Sequence, residues 1–253
     1  MRRYPILLLV GVLLAVVSTA PTLAQIQNVA IVYKLLDEQQ LAITTIQDSV
    51  RAGTIGALLN HGDLLTTDAE TRAAVRFTDD GSILRMNPNT DLQIRVEGDR
   101  TAMRKTLQVD FGELWARIQK QPEGAGYRIE TPTAVAAVKG TEFYLRVDVT
   151  GTTIITTEGV IEFFNDVGTV EIPTGFTGTA GASATALPNT AGTRPDEIAS
   201  FGGIAEGEGQ GTGTGGDIVE IAIPFTDAAG NQKTMIIRVP RATAARFLPP
   251  ALD

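Results

Sequence analysis

Few residues of this chain are of a type that could carry reaction chemistry. Cysteine is absent from the 253 residues, and histidine occurs once, at His61. The chain therefore has no disulfide, thiolate nucleophile or thiolate metal ligand. A single imidazole excludes the two-histidine metal motifs. It also leaves at most one histidine to act as the base of a catalytic triad. His61 stands between Asn60 and Gly62, so we interpret it as a solvated histidine in a turn.

Carboxylates are the other candidates. Asp79 and Asp80 precede Gly81 in a turn signal, and Asp63 or Asp68 could join them around a hard cation. Their spacing matches no calcium loop, so we expect solvated turn acids. Two acids brought together by the fold could also hydrolyse a glycosidic bond, but nothing marks a particular pair. The sequence therefore assigns no catalytic, cofactor-binding or metal-binding residue, and no cofactor.

A glycine-rich stretch contains one nominal nucleotide motif. Residues 211–216 satisfy the G-x-G-x-x-G pattern. A dinucleotide loop must lead from a strand into a helix N-terminus, whereas this stretch leads into a strand. Gly216-Asp217 is faintly similar to a calcium β-roll repeat, but the repeat does not recur. Eight of the fifteen residues from 202 to 216 are glycine, which is typical of a flexible linker.

The first segment is interpreted as an export signal. Arg2 and Arg3 form a positive n-region, residues 6–17 are apolar and uncharged, and Thr22 and Ala24 fit a cleavage site before Gln25. The apolar run falls short of the roughly 20 residues that span a bilayer. We therefore predict a signal peptide over residues 1–24, a periplasmic or cell-surface location, and no transmembrane span in the mature chain. An uncleaved anchor is the alternative.

The rest of the chain alternates between apolar and polar residues, the period of a half-buried strand. Four runs carry the clearest pattern, and turn signals separate them. The residues predicted to face inward are Ala73, Val75 and Phe77; Leu92, Ile94 and Val96; Leu107, Val109 and Phe111; and Phe143, Leu145, Val147 and Val149. Short strands at regular spacing predict an all-β fold, with antiparallel strands in an elongated sandwich or solenoid-like stack.

Two places in this pattern are ambiguous. Residues 29–48 alternate but also contain a stretch that suits a helix, and we favour a β-hairpin there. Trp115, the single tryptophan, is out of phase with Leu114 and Ala116. It could face outward as a contact patch, but packing against a second layer is the favoured interpretation.

Composition divides the chain into four parts. The predicted parts are a signal peptide (1–24), a β-domain (25–178), a flexible Ala/Gly-rich linker (179–216) and a C-terminal β-hairpin with a tail (217–253). Two alternating runs, 218–224 and 233–239, form the hairpin around a turn-rich connection. An isolated hairpin is marginal in water, so we expect it to dock on the main domain or on a partner.

An ordered set of motifs resembles the FecR family of exported β-domains. The resemblance covers about residues 50–178 and is carried by the segments 62–67, 71–82, 84–90, 92–94, 112–115, 131–135, 138–143 and 153–159. Known members relay a signal from an outer-membrane receptor to a cytoplasmic sigma factor through a cytoplasmic segment, a transmembrane helix and a periplasmic β-domain. The resemblance here is confined to the β-domain. The motif residues are interpreted as scaffold, with Gly140 at a bulge or a close backbone approach.

The resemblance implies a non-catalytic exported module that binds or scaffolds at the cell envelope. One alternative is a periplasmic signal relay acting with a separate membrane regulator of a sigma factor. Another is a hydrolase of envelope polysaccharide. The expected partner is an envelope protein or glycan. With a formal charge of −8, non-specific binding to nucleic acid is not expected. The sequence leaves the oligomeric state open.

Overall fold

The alternating runs form strands in the computed structural model of the protein. The structure describes residues 27–36, 41–99, 102–183, 187–206, 218–226 and 232–240, the last two ranges as backbone. The main domain's strands in this part of the chain are β1 (Ala30–Leu36), β2 (Leu41–Thr44), β3 (Val50–Ala52), β4 (Leu58–Leu59), β5 (Leu64–Thr67), β6 (Arg72–Phe77), β7 (Ile83–Met86), β8 (Asp91–Glu97), β9 (Arg104–Arg117), β10 (Gly126–Glu130), β11 (Val135–Val138), β12 (Glu142–Asp148), β13 (Gly151–Glu158), β14 (Val160–Asn165), β15 (Gly168–Pro173), β16 (Phe176–Gly181) and β17 (Asn189–Gly192).

The strands form two sheets, and β9 runs through both. Sheet A has the order β4-β1-β6-β7-β9-β12-β13-β16-β17. Sheet B has the order β3-β2-β5-β8-β9-β10-β11-β14-β15. Successive hairpins alternate between them, with β10–β11 in sheet B, β12–β13 in sheet A, β14–β15 in sheet B and β16–β17 in sheet A. The all-β prediction is confirmed, and the alternation gives the stack its solenoid-like winding.

Strand β9 changes sheets at Gly112. Its first part pairs with β8 in sheet B, and from Gly112 onward it pairs with β12 in sheet A. Gly112 has φ +111, and a Cβ there would lie 2.5 Å from the Cα of Thr90. Only glycine fits both conditions. The chain then returns to the start of β9, so β10 runs parallel to it, an exception among the antiparallel pairs.

The inward-facing residues of both sheets pack into one core. Eleven of the thirteen residues predicted to face inward are buried, Val75 and Leu107 among them. Phe111 and Val149 are corrections, with 47% and 86% of their surfaces exposed. Phe111 lies where the register between β8 and β9 shifts, just before Gly112, so the alternation of β9 breaks there. Val149 follows the last residue of β12 and lies in the turn.

The hairpin predicted for residues 29–48 is also wrong. Strand β1 pairs with β4 and β6 in sheet A, whereas β2 pairs with β3 and β5 in sheet B. Both runs form strands, but burial alternates only in β2; the first three residues of β1 are all buried, and its register shifts between Val32 and Lys34. The two strands lie in different sheets. Alternation identifies a strand and not its neighbour, which explains the error.

The segment predicted as a linker begins inside the domain. Residues 179–181 end β16, and β17 pairs with β16. Helix α1 (Pro195–Ala199) and a 3₁₀ turn (Ile204–Glu206) follow. Residues 207–217 lie outside the described part, so a linker there stays a prediction. The C-terminal hairpin is confirmed, with β18 (Ile218–Thr226) antiparallel to β19 (Gln232–Pro240).

Helices are a minor part of the described chain. Helix α1 has five residues and the 3₁₀ turn has three. Neither is long and apolar enough to cross a bilayer. The described residues contain no other helix that could do so.

Candidate functional site

Residues 195–206, called the strap below, lie across the outer face of sheet A. Trp115, Tyr144 and Ile155, from three adjacent strands, form one cluster with Phe201 and Ile204 of the strap. Trp115 is fully buried, and the ring centroids of Tyr144 and Phe201 are 5.0 Å apart. Trp115 therefore packs against a further layer, as the favoured interpretation predicted.

Two guanidinium groups lie against the tryptophan ring. Arg85 lies 4.5 Å and Arg117 lies 5.0 Å from the centroid of the Trp115 ring, within the range of cation–π attraction. Arg85 is 5% exposed and donates hydrogen bonds to the carbonyl groups of Ile204 and Ala205. The arginine thus fixes the end of the strap while it stacks on the ring that the strap covers.

Further polar contacts hold the middle and the start of the strap. The Arg146 guanidinium lies 4.6 Å from the Phe201 centroid and donates to Ser200 Oγ at 2.9 Å. The Thr177 hydroxyl donates to Glu197 Oε2 at 2.7 Å. Strands β12 and β16 are therefore tied to the strap by side chains as well as by apolar burial.

Asp79 and Asp80 are not solvated turn acids, which corrects the expectation. Both carboxylates bind the ammonium of Lys105, which is fully buried at the start of β9. The Lys105 Nζ atom lies 2.5 Å from Asp79 Oδ2 and 3.1 Å from Asp80 Oδ2. A buried cation requires such partners, because desolvation of an unpaired ammonium costs several kcal/mol (order of magnitude). The turn between β6 and β7 closes over this lysine.

The two carboxyl groups of this cluster have different environments. Burial, and then the charge of Asp80, raise the pKa of Asp79. Burial also acts to raise the pKa of Asp80, but the Lys105 charge and the Ser82 N–H outweigh it and lower that pKa. Burial beside the two acids holds the pKa of Tyr127 well above its usual value. Asp80 is thus the stronger acid of the pair.

The other acids and the histidine have separate structural contacts. Asp63 is buried and accepts from the Asn60 N–H at 3.0 Å, and Asp68 caps its own turn through the Thr71 N–H at 2.7 Å. His61 lies in a turn, as predicted, but it is half-buried and not simply solvated, because its Nδ1 accepts a hydrogen bond from the Val96 N–H at 3.0 Å. No group of three His, Asp or Glu residues suited to a metal occurs in the described ranges.

The segment around Gly140 lines an open groove at one end of the sandwich. Gly140 has φ +143, in agreement with the backbone role expected of it. The groove has a volume of about 590 Å³, and Lys120, Lys139 and Glu158 are among its lining residues. Lys120 and Lys139 are exposed, so the groove presents positive charge to solvent. The 211–216 glycine motif lies outside the described residues.

Sequence reasoning missed the buried lysine and the strap, although each leaves a signal. Lys105 precedes Leu107 and Val109 at spacings of two and four, which puts it on the inward face of the same strand. Ile198, Phe201 and Ile204 recur at every third residue, a spacing that suits one side of a helical segment. Because Gly202 and Gly203 were counted as part of a flexible linker, this helical spacing was not recognised in the sequence.

Comparison with known proteins gives one family match and two partial structural matches. Residues 63–162, from the residue before β5 to within β14, match the family described as FecR protein. Two crystal structures of a candidate anti-sigma factor from Parabacteroides distasonis match with TM-scores of 0.47 and 0.46 and identities of 12% and 13%. Each alignment covers 55% of this chain and 63% of that one, less than two thirds of its length. No curated protein matches.

Proposed function

We propose that the chain is a non-catalytic, exported FecR-like module that binds or scaffolds an envelope protein or glycan. The match of residues 63–162 to the FecR family carries this proposal. The proposed lack of catalysis agrees with the contacts of the acids first considered for catalysis. Asp63, Asp79 and Asp80 each bind a neighbouring part of the fold. A regulatory role in signal relay, with a separate membrane partner, is the second candidate and rests on the same match.

Export is part of the proposal and has its own test. The Arg2-Arg3 n-region and the Thr22-x-Ala24 site support cleavage after Ala24. N-terminal sequencing of the exported protein is expected to begin at Gln25. An intact Met1 on membrane-bound protein would contradict it.

The groove beside Gly140 is the proposed binding surface. It is open, it lies in a segment that carries the family motif, and its exposed lysines suit an acidic protein surface or an acidic glycan. Lys120 and Lys139 can be changed without disturbing the core because both side chains are exposed.

Affinity capture from envelope fractions tests the binding role. The wild type is expected to retain a partner that the Lys120→Glu, Lys139→Glu double variant loses. Arg128→Glu is the matched control, because Arg128 is 47% exposed on β10, outside the groove. Equal capture by all three would remove the groove from the proposal. Release of sugars from envelope polysaccharide by the wild type would favour the hydrolase alternative instead.

A further inference from the structure

Lys105 is an amine held against a carboxyl group inside a β-domain. Its side chain has no exposed surface, and its Nζ lies 2.5 Å from Asp79 Oδ2. The two residues are brought together by the fold, since Lys105 is the second residue of β9, in its sheet B part, and Asp79 lies in the turn after β6 of sheet A. Such fixed proximity replaces a bimolecular encounter and raises the effective concentration of the reacting groups enormously.

Aromatic rings cover the lysine side of this contact, whereas the carboxyl groups keep 12% and 15% of their surfaces exposed. The Lys105 Nζ lies 4.6 Å from the Tyr127 centroid and 5.4 Å from the Phe77 centroid. The two rings meet edge to face, with centroids 5.3 Å apart. In a site with little water, a neutral amide is favoured over a charged pair, because the free-energy cost of burying two ions disappears when they become neutral.

The second carboxylate is placed to carry a proton. Asp80 Oδ2 lies 3.1 Å from the same Nζ, and it accepts hydrogen bonds from Tyr127 Oη at 2.9 Å and from Gln121 Nε2 at 2.8 Å. Asp79 Oδ1, in contrast, is buried and has no hydrogen-bond partner among the described residues. The pKa of Asp79 is raised by burial and by the charge of Asp80, whereas the pKa of Asp80 is lowered by Lys105, so Asp79 accepts a proton more readily than Asp80 does.

We propose that Lys105 and Asp79 condense into an intramolecular isopeptide bond, with Asp80 as the proton carrier. One proton passes from the ammonium to Asp79, which gives a free amine beside a carboxylic acid, and Nζ attacks Cγ of Asp79. Asp80 carries a second proton from the nitrogen to the Asp79 hydroxyl, the C–O bond to that hydroxyl breaks, and the hydroxyl leaves as water while Asp80 ends as a carboxylate again. One N–C bond forms, one C–O bond breaks, one water is released, and no oxidant or cofactor is needed.

The bond would join the two sheets covalently. It links the turn between β6 and β7 of sheet A to the sheet B part of β9, and it replaces a buried ion pair by a neutral amide. This goes beyond the proposed function and does not depend on it, since a cross-linked scaffold can bind any partner or none.

Intact mass under denaturing conditions is the first test. The purified protein is expected to be lighter, by the mass of one water molecule, than the sequence counted from its own N-terminal residue as sequencing determines it. Asp79→Ala is expected to show the full mass. Asp80→Asn keeps the side-chain shape but removes the base, so it is expected to lose most of the cross-link while circular dichroism shows the wild-type fold.

Peptide mapping separates the cross-link from cyclisation at Asp80-Gly81, which also loses water. Trypsin is expected to release a branched peptide in which residues 77–85 are joined to residues 105–117 through Lys105. Cyclisation leaves residues 77–85 as a separate peptide and lets trypsin cut after Lys105. Folded wild type of full mass, or water loss without the branched peptide, would overturn the proposal. Because this readout needs only the wild type, it stands even where a variant fails to fold.

Discussion

Gly140 shows how one residue of the family motif acts through its backbone. Its φ of +143 is unfavourable for any side chain, and an added Cβ would lie 3.0 Å from the Cα of Lys120. We therefore expect Gly140→Val to reduce the free energy of unfolding by about 2 kcal/mol or more. Chemical denaturation measures the change.

The neighbouring residue is the control. Lys139 is exposed, so Lys139→Ala is expected to change stability by no more than about 0.5 kcal/mol. Unchanged stability of Gly140→Val would show that the glycine is not needed for its conformation. Loss of partner capture by Lys139→Ala at unchanged stability would assign Lys139 to the proposed binding surface, beside a glycine that is needed for its backbone.

Asp148 gives a pH-dependent prediction at the same scale. Hydrogen bonds from the Thr150 hydroxyl and from its N–H at 2.7 Å lower the pKa of Asp148 below the usual 3.8. A lowered folded-state pKa stabilises the fold above the unfolded-state pKa, and this stabilisation disappears as the pH falls through the folded-state value. The stability difference between wild type and Asp148→Ala is therefore expected at pH 7 and should shrink below about pH 4. A difference that grows on acidification would contradict it.

The strap is the element whose removal has the clearest optical signal. Phe201 is 1% exposed over Tyr144, so Phe201→Ala is expected to cost about 3 kcal/mol in unfolding free energy. Because Trp115 is the single tryptophan and lies under the strap, its emission should shift to longer wavelengths and become quenchable by acrylamide. Leu187→Ala, at a position 53% exposed, is the control and should change neither.

The elements also show what the sequence could and could not specify. Period-two alternation located the strands around Val75, Ile94 and Leu145 because one face of each is buried. It could not specify that β1 and β2 belong to different sheets, since partner choice depends on long-range pairing. The Asp79–Lys105 contact was invisible for the same reason, because the acids lie in one sheet's turn and the lysine in the other sheet. The family motifs were interpreted as scaffold and suggested no site, so the groove beside Gly140 could be recognised only in the folded chain.

At the scale of the whole chain, the packed domain extends to the strap and not to residue 178. Cleavage by a glutamate-specific protease is expected first at Glu208, within the glycine-rich stretch, because ordering glycine is entropically costly. The large product should keep Phe201 and a buried Trp115. Early cleavage within β16 or β17 would show instead that the domain ends where composition first changes.

Strand β9 has a mechanical consequence for the whole molecule. It has two neighbours in sheet B and two in sheet A, all joined by one continuous backbone. If β9 unfolds from one sheet, the central strand of the other sheet unfolds with it. The two sheets are therefore expected to unfold together and not one after the other. The amides of β9 on both sides of Gly112 should consequently exchange with solvent at the same slow rate, set by global unfolding. Two fragments separated at Gly112 should each be unfolded alone and regain structure only when mixed.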